Sequence, residues 1–281
     1  MGASMASRLQ QAGWSLSVFN RTKAKAHALL EQGADWCESP AAVAAASDAL
    51  FSIVGFPPDV EAVYLGDDGV LSGNPRCTLI CDMTTSTPAL ARGIAETAAA
   101  RGIASLDAPV SGGDVGAREG RLAIMAGGDE AAFRKARPLF EIMGETIGLM
   151  GGPGAGQNTK MCNQILIAGT MIGVCESLLY AARSGLDRDQ VIGIIGKGAA
   201  ASWSINTLGP RIAGGDFEPG FYVEHFIKDM GIALREARAL NLALPGLALV
   251  HQLYVAVQSQ GFGRKGTQAL MMALQTLNGE R

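Results

Sequence analysis

From residue 15 to about residue 150, short apolar or β-branched runs alternate with alanine-rich stretches of helical period. Leu16–Phe19, Asp48–Val54, Thr78–Cys81, Ile103–Leu106, Leu122–Met125 and Thr146–Leu149 have the length and content of strands. Helices over Lys23–Gln32, Ala41–Ala46, Asp59–Tyr64, Pro88–Arg101 and Glu130–Ile142 fall between them. Pro88 suits a first helical turn, where the missing N–H is not needed. Strands and helices in alternation predict βαβ units and a parallel sheet covered on both faces.

The pattern changes after Gly151–Gly156, and everything downstream reads as helix. Thr159–Ser184 is one long helix that ends at Gly185, a residue suited to the left-handed C-cap. Further helices follow near Arg188–Lys197, Ser202–Ala213, Glu224–Leu240, Pro245–Gln260 and Thr267–Leu277. Two domains are expected, residues 1–152 and 153–281. The helical half has more apolar faces than a monomeric domain of its size can bury, which predicts a homodimer or homotetramer.

Composition narrows the partners. The chain has 281 residues, 48% apolar and 17% charged, with a net charge of −3, which suits a compact globular protein. No basic stretch is longer than Arg264-Lys265, so nucleic acid is not expected as a partner. Cys37, Cys77, Cys81, Cys162 and Cys175 form no C-x-x-C pair and none stands at zinc-ligand spacing from a histidine. Reduced thiols, no metal and a cytoplasmic setting follow as expectations. Arg8, Gln10 and Gln11 stand where a signal peptide would need an apolar core. The most apolar run, Ile165–Val174, is shorter than the roughly 20 residues a bilayer span needs, so no membrane is expected.

Two segments carry the chemistry. The first is Asp107-Ala-Pro-Val-Ser111-Gly112-Gly113, strand-like and then glycine-rich; the second is Gly154-Ala-Gly156-Gln-Asn-Thr-Lys160-Met-Cys-Asn163-Gln164. Bare backbone amides beside the Ser111 hydroxyl suit a carboxylate, although Ser-Gly-Gly read locally is simply a turn. Lys160 near the start of an apolar helix either snorkels to solvent or has a chemical task. Asn163 and Gln164, at i+3 and i+4 from it, share its helical face. Lys228 and Asp229 read equally as a charge pair on a solvated face, and His225 beside them as structural or peripheral.

Together these segments resemble the β-hydroxyacid dehydrogenase family over nearly the whole chain. The resemblance implies a Rossmann-like, doubly wound sheet followed by an all-α domain. It also implies a hydride transfer between NADP(H) or NAD(H) and a small 3-hydroxy acid or its semialdehyde. Lys160 would be the general acid and base, its pKa lowered toward neutrality by burial and by a cationic nicotinamide. Ser111, Gly112 and Gly113 would bind the substrate carboxylate and Asn163 would orient the substrate. Gln164 stands where many relatives carry a second asparagine, which leaves the substrate's identity open.

On the cofactor side, Asn20-Arg21-Thr22 follows a strand and lacks the carboxylate that would bind a ribose hydroxyl, which favours a 2′-phosphate and so NADP. A surface arginine after a strand is the plainer reading of the same residues. Val54-Gly55-Phe56-Pro57 and Asp82-Met-Thr-Thr85-Ser-Thr-Pro88 resemble two family loops, placing Phe56, Pro57 and Thr85 near the cofactor. Lys228 would close over it, supported by Asp229, with Phe226 shaping the pocket. Met1 and Gly2 match the end of the family's glycine motif, so its first strand and first two glycines are missing from the sequence. Either the recorded start is an internal methionine or the chain has lost cofactor affinity. Without that strand, two backbone ladders need cover from elsewhere. A decarboxylating relative would carry a His-Asn pair on the lysine helix, and an imine reductase would usually replace Lys160. A non-catalytic helical scaffold is the alternative from another class.

Overall fold

A computed structural model describes residues 1–280. The chain divides into two compact units, Met1–Lys160 and Met161–Arg281. The division falls inside a long helix, so the first turns of that helix belong to the strand-containing unit.

The first unit contains, in order, α1 (Gly2–Gln11), β1 (Ser17–Val18), α2 (His27–Glu31), β2 (Asp35–Trp36), α3 (Pro40–Ala46), β3 (Ala49–Ser52), α4 (Pro57–Leu65) and β4 (Leu79–Asp82). It continues through α5 (Pro88–Ala99), β5 (Ala104–Asp107), β6 (Val110–Ser111), α6 (Gly113–Glu119), β7 (Leu122–Ala126), α7 (Glu130–Met143) and β8 (Gly144–Leu149) into α8 (Ala155–Arg183). All four residues of β4 are buried, as expected of a central strand covered on both faces. α5 begins as its sequence demands, with Thr87 Oγ1 accepting the Leu90 N–H and Pro88 in the first turn.

The strands form three ladders. β1 and β2 pair in parallel, β3-β4-β5 form a parallel sheet, and β6-β7-β8 form a third sheet in which β6 and β7 run antiparallel. The parallel architecture holds apart from that one antiparallel pair. β6 falls in the strand-like segment expected before the glycine corner, but β2 and α6 were not foreseen: a two-residue strand carries no periodicity, and Gly112 and Gly113 conceal a helix start behind positive φ angles of 131° and 66°. Among the described residues no strand joins β1 to β3. Side-chain packing joins them instead, with Met1, Met5 and Leu9 of α1 sharing a core cluster with Leu16, Phe51 and Ile53.

The second unit adds α9 (Arg188–Ile195), α10 (Gly209–Ala213), α11 (Val223–Ala239), α12 (Pro245–Val257) and α13 (Leu270–Leu277) to the rest of α8. Met161, Ala168, Met171, Val174, Cys175 and Leu178 of α8 line its core. α8 is 29 residues long with a hydropathy of 1.8 over its most apolar window, long and apolar enough by those measures to cross a membrane. The sequence reading counted only an unbroken apolar run and so missed this. Single polar residues such as Gln164 and Glu176 end an apolar run without ending a helix.

Candidate active site

The start of α8 is fixed to the ends of the strands by side chains of the first unit. Asp107, at the end of β5, accepts the Gly154 N–H on Oδ1 at 2.7 Å and the Gln157 N–H on Oδ2 at 2.8 Å. One carboxylate thereby satisfies the donor of the residue preceding α8 and one in its first turn, and it also lies favourably at the positive end of the helix. Burial pushes the Asp107 carboxyl up to about 6, against the pull of those N–H bonds. The approach of helix to strand is close. A Cβ at Gly156 would overlap the carbonyl oxygens of Met125 and Asp107, and one at Gly127 would lie 2.6 Å from Asp107 Oδ1.

Gln157, fully buried, makes a second tie: its Oε1 accepts the Ser86 N–H at 2.9 Å and its Nε2 donates to the Thr84 carbonyl at 2.8 Å. Thr84 Oγ1 in turn accepts the Val54 N–H, and Asp82 Oδ1 accepts both the Thr84 N–H and the Ser52 hydroxyl. Because the Ser52 hydrogen goes to Asp82, the Tyr64 hydroxyl donates to Ser52 at 2.7 Å. One buried network therefore runs from α4 through the 82–88 loop, which carries half-buried Thr85, to the lysine helix.

Lys160 is 6% exposed, and its Nζ donates to the Val110 carbonyl at 2.9 Å. That carbonyl immediately precedes Ser111-Gly112-Gly113, so the amine and the glycine corner come together. Gly112 caps α6 and Gly113 begins it, with Asp114 in the first turn.

The expected cofactor residues group differently. Asn20 Nδ2 donates to the Thr22 carbonyl, closing its own turn. Arg21 is exposed and pairs with Asp59 at 2.8 Å, and Asp59 Oδ2 also accepts the Phe56 N–H at 3.0 Å. The Asn20–Thr22 turn is thus held to the Phe56-Pro57 loop. At α1, a Cβ on Gly2 would lie 2.8 Å from Ile53 Cγ2, so glycine permits a tight helix–strand approach there. Met1 caps that helix end with its backbone only, and no acidic residue occupies the first turn. Uncapped amides, the Arg21 guanidinium and the hydroxyls of the 84–85 loop are donors that fit the phosphates and ribose of a dinucleotide.

In the second unit, Gln164 Nε2 donates to Asp229 Oδ2 at 2.6 Å, Asn163 Nδ2 donates to Gln164 Oε1 at 2.7 Å, and Lys228 Nζ pairs with Asp229 Oδ1 at 3.1 Å. Two of the expected site residues lie buried. Gln164, expected to touch substrate, is buried and has its amide turned to Asp229. Phe226, expected to shape a cofactor pocket, is fully buried in the core, edge-on to Tyr254 at 5.0 Å. His225 packs edge-on against Phe221 and Tyr222, and burial lowers its pKa, with Lys228 adding to the effect. Sequence reasoning also gave no role to Asp107, Gln157, Thr84 or Asp59. The signal for Gln157 was a polar residue just after a glycine-rich helix start; Asp107 had none, its partners lying 47 and 50 positions away.

Residues 1–152 match the family model described as the NAD binding domain of 6-phosphogluconate dehydrogenase. Residues 154–274 match that described as the NAD-binding domain of NADP-dependent 3-hydroxyisobutyrate dehydrogenase. The chain belongs to the β-hydroxyacid dehydrogenase family. A probable 3-hydroxyisobutyrate dehydrogenase-like protein of Arabidopsis thaliana is 50% identical over 279 residues, covering 99% of this chain and 83% of that one. The 2-hydroxy-3-oxopropionate reductase of Escherichia coli is 38% identical over 277 residues, covering 99% and 94%. A 3-hydroxyisobutyrate dehydrogenase of Mycobacterium tuberculosis, solved with L-serine, has a TM-score of 0.86 at 29% identity, covering 98% of this chain and 96% of that one. This member of the family is therefore an NAD(P)-dependent hydroxyacid dehydrogenase, and the scaffold alternative is not favoured.

Proposed function

We propose that this β-hydroxyacid dehydrogenase interconverts a small 3-hydroxy acid and its semialdehyde, using NADP(H) in preference to NAD(H), with Lys160 as the general acid and base. A bound nicotinamide supplies the partner for hydride transfer. In the oxidising direction, carbon 3 loses its hydrogen as hydride while the hydroxyl proton passes to the Lys160 amine, and the C–O bond becomes a carbonyl. In the reducing direction, Lys160 returns that proton to the aldehyde oxygen. Ser111 and the amides of Gly112 and Gly113 hold the substrate carboxylate, and Asn163 orients the reacting end.

The observation that carries this reading is the Lys160–Val110 hydrogen bond, which keeps a buried amine beside the glycine-serine corner. A lysine that merely snorkelled would carry its amine to solvent. Asn20, Arg21 and Thr22 support a 2′-phosphate by supplying a cation and no competing carboxylate of their own, although Arg21 must be shared with Asp59. The test is Lys160→Ala assayed against a panel of semialdehydes. A fall in kcat of about 10²–10⁴ with NADPH affinity retained is expected. Unchanged kcat would remove Lys160 from the chemistry.

A further inference from the structure

We propose that Gln164 is a positioning residue that fixes the polarity of Asn163, so that the enzyme selects substrates bearing a hydrogen-bond donor on carbon 2. The inference rests on the reading above, in which Asn163 meets the substrate, and deepens it by naming the group it meets.

A short chain of contacts runs from a charged end at Asp229 to Asn163. Asp229 is fully buried, and its carboxylate faces the Lys228 ammonium at 3.1 Å, a partner that can only donate, so its oxygens serve as acceptors. Gln164 lies 2.6 Å from Asp229 Oδ2. An oxygen at that distance would set two acceptors against each other, so the amide nitrogen of Gln164 must face Asp229. Its oxygen then faces Asn163, 2.7 Å away, and Asn163 must present its nitrogen. Each amide orientation follows from the carboxylate, with no freedom left along the chain.

The consequence lies at the far end. Asn163 is half-buried and stands one helical turn beyond Lys160 on the same helix. With its nitrogen committed to Gln164, its Oδ1 faces the opposite way and offers only an acceptor. Donation along Asn163–Gln164–Asp229 polarises that carbonyl and strengthens it as an acceptor. A hydroxyl or an ammonium on the substrate satisfies it, whereas a methyl leaves a partly desolvated oxygen unpaired. Three 3-hydroxy acids differ in this one group: 2,3-dihydroxypropanoate carries a hydroxyl on carbon 2, L-serine an ammonium, and 3-hydroxy-2-methylpropanoate a methyl.

The experiment compares kcat/KM for these three acids at saturating NADP+ in the wild type and in Gln164→Met, Asp229→Asn and Asn163→Ala. The wild type is expected to favour at least one of the two donor-bearing acids over the methyl acid by about 10- to 100-fold, mostly through KM. Which donor is favoured separates hydroxyl from ammonium. Gln164→Met keeps the volume but frees the Asn163 amide to turn, and Asp229→Asn keeps the shape but lets the chain reverse. Both are expected to bring the preference toward unity, read as the ratio of kcat/KM between the acids within each variant so that any common loss from the Lys228 contact cancels. A wild-type preference for the methyl acid, or a preference untouched in both variants, overturns the inference. Asn163→Ala separates the two levels: equal kcat/KM for all three acids in that variant and the wild type would remove Asn163 from the substrate and with it the underlying reading.

Discussion

Asp107 is the residue where structure and chemistry meet most closely, because it holds a charge that its surroundings make costly. Burial lifts its carboxyl from 3.8 to about 6, so the folded state binds a proton more tightly than the unfolded chain between those values. Stability from this group is fully present below pH 3.8 and is lost as pH rises through about 6, at a cost of roughly 3 kcal/mol at neutral pH. Asp107→Asn has no such proton to gain. Between pH 7 and pH 5 the wild type is therefore expected to gain about 1 kcal/mol relative to the variant, measured by denaturant unfolding of both. His225 and His251, whose pKa values are lowered mainly by burial, pull the opposite way, but equally in both proteins, so the difference cancels them. No relative gain would mean that Asp107 is not the proton-binding group. The ionised carboxylate is retained because it accepts two N–H groups at the start of the lysine helix, which a neutral acid does less well. Gln164 shows the limit of reading residues one at a time. Its identity was legible as a departure from the family pattern, yet its partner lies 65 positions away and could not be read from spacing.

At the scale of elements, α8 carries the argument, and its glycines are not interchangeable with other helical glycines. A methyl at Gly156 has backbone oxygens of two strands in its way, and backbone cannot step aside as a flexible side chain can. Gly93, within α5, has nothing within 4 Å of the same added atom. One substitution is therefore expected to act with opposite sign at the two sites. Gly156→Ala should destabilise by about 1–3 kcal/mol and displace Lys160, lowering kcat as well. Gly93→Ala should stabilise by up to about 1 kcal/mol through helix propensity and leave kcat unchanged. Thermal unfolding and a single saturating assay on both variants check the pair. Equal effects on stability at the two sites would contradict the close helix–strand approach. The helices and longer strands, including β4 and α8, were legible from period and length. β2 was not, since its pairing with β1 rather than its own two residues defines it. α6 was hidden for a related reason: its start is set by the backbone angles of two glycines, which permit many conformations.

At the scale of the molecule, α8 has one face in the core of the second unit and another that the chain leaves bare. Cys162, Leu166, Gly169, Gly173, Glu176 and Tyr180 recur at spacings of three and four and are all exposed, Leu166 and Tyr180 by 69% and 73%. An added Cβ at Gly169 or Gly173 meets nothing within the chain, so neither glycine is small for the sake of its own fold. Small residues flanked by large apolar ones let a second helix come close and then bury area against it. Glu176 within the stripe suits a protein partner, where it can be paired, better than a lipid one. A second copy of this chain is the expected partner, through a symmetric contact in which the stripe would meet itself. Leu166→Glu sets two like charges near the two-fold axis of such a contact. Light scattering is then expected to show an oligomer for the wild type and a single-chain mass for the variant. Since Leu166 points away from the core that Met161, Ala168 and Met171 line, the variant's circular dichroism should match the wild type's. A variant that keeps the oligomeric mass would place the subunit contact elsewhere on the helical unit, and a wild type of single-chain mass would remove it altogether.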